Sequence, residues 1–257
     1  MKPTIALFST TLLFIAASLL PASAADPSAD QLLKQMSAKL ASAGAFAFTA
    51  TREIDAALLG GGDGIPDKAK VSVSVHRPDK ITAVATSGLG TRRFVFDGNS
   101  LILLDENNNH YAKVAMRGSI DGLVDQLDAK YGFVPPLAEF AVSNPYKEFK
   151  QQARTATYLG KSKTREGLFG WFGVECHRVW LSGKDADAEL WIGVDDQLPH
   201  KLTATFHAEG SPQLRVAFSK WNLASPVDAD VFTFTPPKGS HEIEMWTTSQ
   251  MKSAAKN

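Results

Sequence analysis

The chain contains a single cysteine, Cys176, among its 257 residues. One cysteine cannot form an intramolecular disulfide, so the fold must be stabilised by the burial of apolar side chains. No cysteine occurs near the N-terminus, where a bacterial lipoprotein carries the residue that receives its lipid. We therefore expect neither a disulfide-rich domain nor a lipid-anchored protein.

An excess of charge of either sign is also missing. The 27 Lys and Arg residues balance the 27 Asp and Glu residues, and without residues 1–24 the formal net charge is −1. Binding to nucleic acid or to an anionic membrane surface depends on a positive electrostatic field, which this composition does not supply. The composition therefore argues against a nucleic-acid-binding protein.

Long apolar runs are absent after the first 24 residues. At the N-terminus, Lys2 precedes an apolar stretch over residues 5–20, and Ala22-Ser23-Ala24 has the small-x-small pattern that signal peptidase cleaves. Later segments are too short or too polar to form a transmembrane helix. The sequence predicts a signal peptide over residues 1–24 and a soluble, exported single domain over residues 25–257, without a transmembrane anchor.

Motifs of catalytic and metal sites are missing as well. The six histidines lack the paired spacing of a zinc site, and no G-x-S-x-G nucleophile motif occurs. Cys176 and His177 are neighbours in a predicted strand, so their side chains point to opposite faces and cannot work as a nucleophile and its base. We predict a non-catalytic protein with no metal or other cofactor, in which Cys176 is buried.

Helical patterns occur at the start and in the middle of the chain. Ser28 and Gln31 have the spacing of a capping box, and the apolar residues that follow predict an amphipathic helix that ends before Gly44. Ser119 caps a second amphipathic helix, and Asn144-Pro145 supplies the N-cap and first-turn proline of a shorter one. These last two form a predicted central helical block.

Alternating apolar and polar residues predict strands over most of the remaining chain. About six strands precede the central block, with Asp97-Gly98 as a hairpin turn, and about six follow it, the last containing Phe232 and Phe234. The apolar face of such a sheet needs a cover, which only the helices can provide. The predicted fold class is mainly β with α: a strongly curved antiparallel sheet, or unclosed β-barrel, of about 11–12 strands, capped by the N-terminal helix and the central helical block.

Several local segments of this layout also occur together in a known family. They are Gly173 to His177, Leu190 to Ile192 before Leu198-Pro199, Val231 to Gly239, Pro135-Pro136-Leu137-Ala138 and Asn144-Pro145-Tyr146. With these segments the chain resembles a family of uncharacterised, predicted periplasmic proteins within the LolA/LolB-like lipoprotein-carrier superfamily. In that superfamily an unclosed β-barrel capped by helices encloses an apolar cavity. The resemblance implies a fold and a periplasmic location, but no reaction.

An apolar cavity of this kind can bind an acyl chain without a charged partner, because each methylene removed from water contributes about 0.8 kcal/mol. We therefore predict a carrier of a hydrophobic ligand, a lipid or acyl chain. The same apolar side chains could instead simply fill the core between sheet and helices. The residues predicted to surround the cavity are Phe46, Phe48, Phe94, Phe96, Phe133, Leu137 and Phe140.

A second hypothesis is an interaction or sensor module that binds an envelope protein partner. Trp171 and Phe172 lie between Gly170 and Gly173 in a predicted loop. Exposed aromatic side chains at a loop tip suit contact with a partner or a membrane, although they could also fold back onto the rim of the sheet. Under either hypothesis we expect a monomer.

Overall fold

A computed structural model of the chain describes residues 26–59, 64–164, 173–224 and 227–254. The predicted signal peptide and the predicted contact residues Trp171 and Phe172 lie outside these ranges. The described part contains four α-helices: α1 (Ala29–Ala41), α2 (Ile120–Tyr131), α3 (Pro145–Gln152) and α4 (Thr248–Ala254).

The strands join in one sheet. They are β1 (Ala45–Ile54), β2 (Asp67–His76), β3 (Lys80–Ser87), β4 (Gly90–Phe96), β5 (Ser100–Asp105), β6 (His110–Ala115), β7 (Ala153–Lys163), β8 (Glu175–Gly183), β9 (Ala186–Gly193), β10 (Pro199–Phe206), β11 (Gln213–Asn222) and β12 (His241–Glu242). Their order in the sheet is β12-β6-β5-β4-β3-β2-β1-β11-β10-β9-β8-β7. Since β12 and β7 stand at opposite edges, the sheet is unclosed. The predicted fold class, including the strand number, is confirmed.

The first helix forms where the capping box predicts it. The Ser28 hydroxyl accepts a hydrogen bond of 3.2 Å from the Gln31 backbone N–H, and the Gln31 side chain accepts one of 3.0 Å from the Ser28 backbone N–H. Two of the N–H groups that a helix leaves unpaired at its start are thereby satisfied. Leu33, Met36 and Leu40, on the face that this start presents to the sheet, are fully buried.

Two groups of helices cover different parts of the concave face. The first group is α1 with α3, which lie against each other and against β7. Tyr146 at the start of α3 donates its backbone N–H to the Ser37 hydroxyl of α1 at 2.9 Å. The second group consists of α2 alone, whose Leu123 and Leu127 share the apolar core with Phe96 of β4. Most of the core therefore lies between the sheet and these helices.

The prediction of a final strand at Phe232 and Phe234 is wrong. Ala229–Phe232 is instead a 3-10 helix, because Asp228 accepts a hydrogen bond of 3.0 Å from the Asp230 N–H and so caps it. Phe232 is buried with its ring centroid 6.3 Å from that of His76. The last strand is β12, which pairs in parallel with β6 and covers the edge that β6 would expose.

Candidate ligand-binding cavity

The inward side chains of β1–β6 form three rows across the sheet, because each strand pairs with the next in a continuous antiparallel register. The first row is Phe46, Val75, Ile81, Phe96, Leu101 and Val114. The second row is Phe48, Val73, Ala83, Phe94, Leu103 and Ala112. The third row is Ala50, Val71, Ala85, Arg92, Asp105 and His110.

A cavity of about 690 Å³ lies over the second and third rows. It exists because β3 presents only Ala83 and Ala85 there and β6 presents Ala112, so the sheet leaves space that larger side chains would fill. Leu123, Val124 and Leu127 of α2 line the opposite wall. The volume falls in the range of about 300 to 1,000 Å³ typical of small-molecule sites.

The loop after α2 forms one side of the mouth. Gly132 ends α2 in a left-handed conformation with φ 67°, and Leu137 is also left-handed with φ 72°. For a leucine this backbone costs on the order of 1 kcal/mol, which the burial of its side chain in the cavity wall offsets. Between these two residues Phe133 lines the cavity and remains 37% exposed.

The other side of the mouth is formed by residues 241–254, which we call the C-terminal strap. The Ile243 N–H donates to the Tyr111 carbonyl of β6 at 2.8 Å, and the Thr248 hydroxyl donates to the Lys130 carbonyl at the end of α2 at 3.3 Å. Between these attachments Ile243, Glu244 and Met245 line the cavity. The strap therefore connects β6 to α2 across the mouth.

Charged side chains gather at the third-row end of the cavity. Arg52 pairs with Asp67, with 2.9 Å between Nη2 and Oδ2, while its buried Nε has no hydrogen-bond partner within the described ranges. Arg92 Nε lies 3.7 Å from Asp105 Oδ2, beyond hydrogen-bonding distance. Hydrogen bonds from Asn108, first from its backbone N–H, hold the pKa of Asp105 below its ordinary value. This end is the polar part of an otherwise apolar site.

Three of the seven residues predicted for the cavity line it: Phe94, Phe133 and Leu137. Phe46 and Phe96 lie in the first row and are fully buried in the core.

Phe48 and Phe140 lie in the same core, where both pack against Phe218 of β11. Their ring centroids are 5.5 and 5.1 Å from that of Phe218. These four phenylalanines are buried against neighbouring side chains of the core and are not among the lining residues.

The polar end and the strap were not foreseen from the sequence. A signal was available for the small-residue wall, since Ala83 and Ala85 alternate on the inward face of β3. Arg92 lies two residues before Phe94 and four before Phe96, so all three side chains face the same side of the strand. The C-terminal strap lines the cavity only because of its contacts with β6 and α2, and no local sequence pattern predicts such contacts.

The model of one protein family, described as predicted periplasmic protein (DUF2092), matches residues 29–246. The chain belongs to this family. The membership predicted from the sequence is thereby confirmed, and the family's description also supports the expected compartment. No curated protein matches the chain.

Several solved structures are similar to this DUF2092 chain. One is a chain of the Pseudomonas aeruginosa MucA/MucB complex, with 15% identity, a TM-score of 0.44 and coverage of 80% of this chain and 61% of that one. A LolA superfamily protein from Nitrosomonas europaea has 11% identity, a TM-score of 0.39 and coverage of 81% and 99%. The lipoprotein LppX of Mycobacterium tuberculosis has 13% identity, a TM-score of 0.39 and coverage of 77% and 98%. The DUF2092 chain thus spans less than two thirds of the MucA/MucB chain.

Cys176 and His177 have separate surroundings in this family member. The Cys176 thiol is fully buried, with Sγ 3.6 Å from the Val174 carbonyl oxygen. His177 Nδ1 lies 3.0 Å from the Tyr158 hydroxyl, and burial holds the pKa of the His177 ring below its ordinary value. The two side chains do not form a nucleophile–base pair.

Neither a metal centre nor a membrane-spanning helix is seen in the part of this DUF2092 chain that the structure describes. Within it, no group of three or more His, Cys, Asp and Glu side chains is placed to hold a metal ion. None of the helices in the same ranges combines the length and the apolar character needed to cross a bilayer.

Proposed function

We propose that the protein is a non-catalytic periplasmic binding protein that holds a hydrophobic molecule, a lipid or an acyl chain, between the sheet and α2. The observation that carries this proposal is the apolar cavity of about 690 Å³. Water in such a cavity would face the side chains of Phe94, Leu103 and Leu127. Replacing that water with an apolar ligand gains about 25 cal/mol for each Å² of apolar surface removed from it.

The proposal includes the compartment and the form of the protein. Cleavage after Ala24 would release a soluble monomer of one domain, residues 25–257, that carries no lipid anchor. A protein in this form can take up a ligand at one membrane and release it at another. N-terminal sequencing of the protein from a periplasmic extract should begin at Ala25, and retention of residues 1–24 on a membrane-bound protein would contradict this part.

Native mass spectrometry of the protein purified from the periplasm, followed by lipid extraction, tests the binding function. The decisive variant is Ala83→Phe, because Ala83 lies in the second row of the cavity wall and a phenyl ring there occupies part of the space between the sheet and α2. Thr86→Phe is the matched control, since Thr86 is exposed on the outer face of the same strand.

We expect one lipid-sized adduct on the wild-type protein and on Thr86→Phe, and the same adduct at clearly lower occupancy, or a smaller one, on Ala83→Phe. Circular dichroism should show the same fold for all three proteins. The same adduct at unchanged occupancy on Ala83→Phe, or no adduct on any of the three, would contradict the binding function.

A second candidate function, contact with an envelope protein, is favoured by the apolar surface around the mouth. Phe133, Val134, Ile243, Trp246 and Met251 are each between 37% and 50% exposed. Crosslinking in the periplasm should then yield one stoichiometric protein partner that is lost when Trp246 and Met251 are changed to serine. Recovery of lipid without such a partner would support the cavity function alone.

A further inference from the structure

We infer that the ligand is an amphiphile with one acidic group, a carboxylate or a phosphate, that Arg92 and Arg52 bind at the third-row end of the cavity. The inference rests on the proposed function and specifies its ligand. It depends on three features: the gradient of polarity along the strands and, within the described ranges, the free hydrogen-bond donors of Arg92 and the buried, unpaired Nε of Arg52.

The gradient follows the strand register. At β4 the three rows contain Phe96, Phe94 and Arg92 in turn, and at β5 they contain Leu101, Leu103 and Asp105. Each step along a strand is two residues, or about 7 Å. The cavity is therefore apolar at one end and charged at the other along its length, which matches a molecule with an apolar tail and a polar head.

Arg92 is available to a ligand. Its side chain is 60% exposed, and Nε lies 3.7 Å from the nearest Asp105 carboxylate oxygen. Asp105 is already bound by Asn108, whose backbone N–H donates at 3.1 Å and whose side-chain amide donates at 3.0 Å. Because the turn satisfies Asp105, the planar guanidinium of Arg92 keeps its donors for a bidentate contact with a carboxylate or phosphate.

Arg52 offers a second donor deeper in the wall. Its Nη2 is engaged by Asp67, but Nε is buried and unpaired within the described ranges. A buried donor without a partner is costly, and an acceptor on the ligand would remove that cost. Arg52 and Arg92 line the same cavity, on β1 and β4 respectively.

The carboxylates that face this end are themselves engaged by protein donors. Asp67 binds Arg52, and Asp105 binds Asn108. Glu244 of the strap accepts hydrogen bonds from Gln250 at 2.9 Å and from Trp246 at 3.3 Å. They therefore do not compete with an acidic ligand head for Arg92 or for the Nε of Arg52, which is unpaired in the described part of the chain.

Competition against an uncharged fluorescent probe, N-phenyl-1-naphthylamine, tests the inference. The competitors share one alkyl chain and differ in the head: palmitate, hexadecyl phosphate, hexadecanol and hexadecyltrimethylammonium, each below its micelle-forming concentration. We expect palmitate or hexadecyl phosphate to bind about tenfold more tightly than hexadecanol, a difference typical of one charge-assisted contact. The stronger of the two anions identifies whether the head is a carboxylate or a phosphate. The ammonium competitor should bind no better than the alcohol.

The test variants are Arg92→Gln and the pair Arg52→Gln with Asp67→Asn, which removes the ion pair without leaving a buried charge. Each should reduce the preference for the anion over hexadecanol while the affinity for hexadecanol stays the same. Lys70→Gln is the control, because Lys70 is an exposed cation of β2 whose neighbours Ala69 and Val71 face inward. This variant should keep the full preference.

Equal affinities for the anions, the alcohol and the ammonium compound would overturn the inference and leave the proposed function intact. A preference for the anions that persists in Arg92→Gln and in the double variant would overturn it as well. If none of the competitors displaces the probe, or the probe itself does not bind, the binding function fails together with the inference.

Discussion

Arg52 of β1 and Asp67 of β2 form an ion pair inside the wall of the cavity, with 2.9 Å between Nη2 and Oδ2. The side chains are only 16% and 5% exposed. Asp67 stands opposite Ile54, two positions along β1 from Arg52, so the pair crosses the two strands diagonally. The carboxylate of Asp67 is therefore shielded from water and depends on this arginine.

Replacing one partner of this ion pair should lower the free energy of unfolding more than replacing both partners. Arg52→Gln leaves the buried Asp67 charge without its partner and should lower the free energy of unfolding by about 3 kcal/mol. Adding Asp67→Asn should recover most of that loss. Urea denaturation measures both values. Arg215→Gln, which removes a surface ion pair with Glu53 and Asp55, is the control and should cost less than about 1 kcal/mol.

The C-terminal strap should control how fast a ligand leaves. Ending the chain at Ser240 removes Ile243 and Met245 from the mouth, so the dissociation rate should rise about tenfold or more in stopped-flow experiments. Ending it at Thr247 removes α4 and the Thr248 attachment to α2 but keeps both residues, so the rate should rise less than in the shorter protein. Equal dissociation rates in the two truncated proteins and the wild type would show that the strap does not close the mouth.

Glu139 should make stability depend on pH. Burial raises the pKa of Glu139 from its ordinary value of 4.5 to about 7, with a smaller contribution from the nearby charge of Glu148. The folded protein then binds this proton more tightly than the unfolded chain does. The free energy of unfolding should therefore fall as the pH rises from 4.5 to about 7.

The variant Glu139→Gln should remove this dependence. It should raise the free energy of unfolding by on the order of 2 kcal/mol above the folded-state pKa and change it little below the unfolded-state value. Glu209→Gln, at an exposed position of the hairpin between β10 and β11, is the control. Denaturation curves with the same pH profile in the wild type and in Glu139→Gln would contradict the assignment.

Cys176 should behave as a structural residue. Because its thiol is fully buried, Ellman's reagent should react with it only as fast as the protein unfolds. Cys176→Ala should keep ligand binding and lower stability by about 1 kcal/mol, the cost of a small void. Rapid labelling of the native protein, or loss of binding in a folded Cys176→Ala variant, would require a functional thiol.

The sheet and its helical cover could be predicted because their signals are local. Alternation fixes which residues of β3 face inward, and caps such as Ser119 fix where α2 begins. The strand at Phe232 was predicted wrongly because two alternating phenylalanines are too few to distinguish a strand from a 3-10 helix followed by an extended segment.

The cavity was harder to predict, because it depends on how rows from different strands align. Phe96 and Phe94 are indistinguishable in the sequence, but the register places Phe96 in the first row, where only Ile81 lines the cavity, and Phe94 in the second row, where most residues line it. Arg52 contributes to the site only through the pairing of β1 with β2. Such relationships between distant segments have no local signature.

A crystal structure of the protein soaked with a fatty acid that carries bromine at the end of its chain tests the central claim most directly. Anomalous scattering locates the bromine without prior assumptions. The account predicts one bromine site at the apolar end of the cavity, near Ile81, with the carboxylate density at Arg92. A cavity closed by its own side chains, or bromine found only on the outer surface of the sheet, would contradict it.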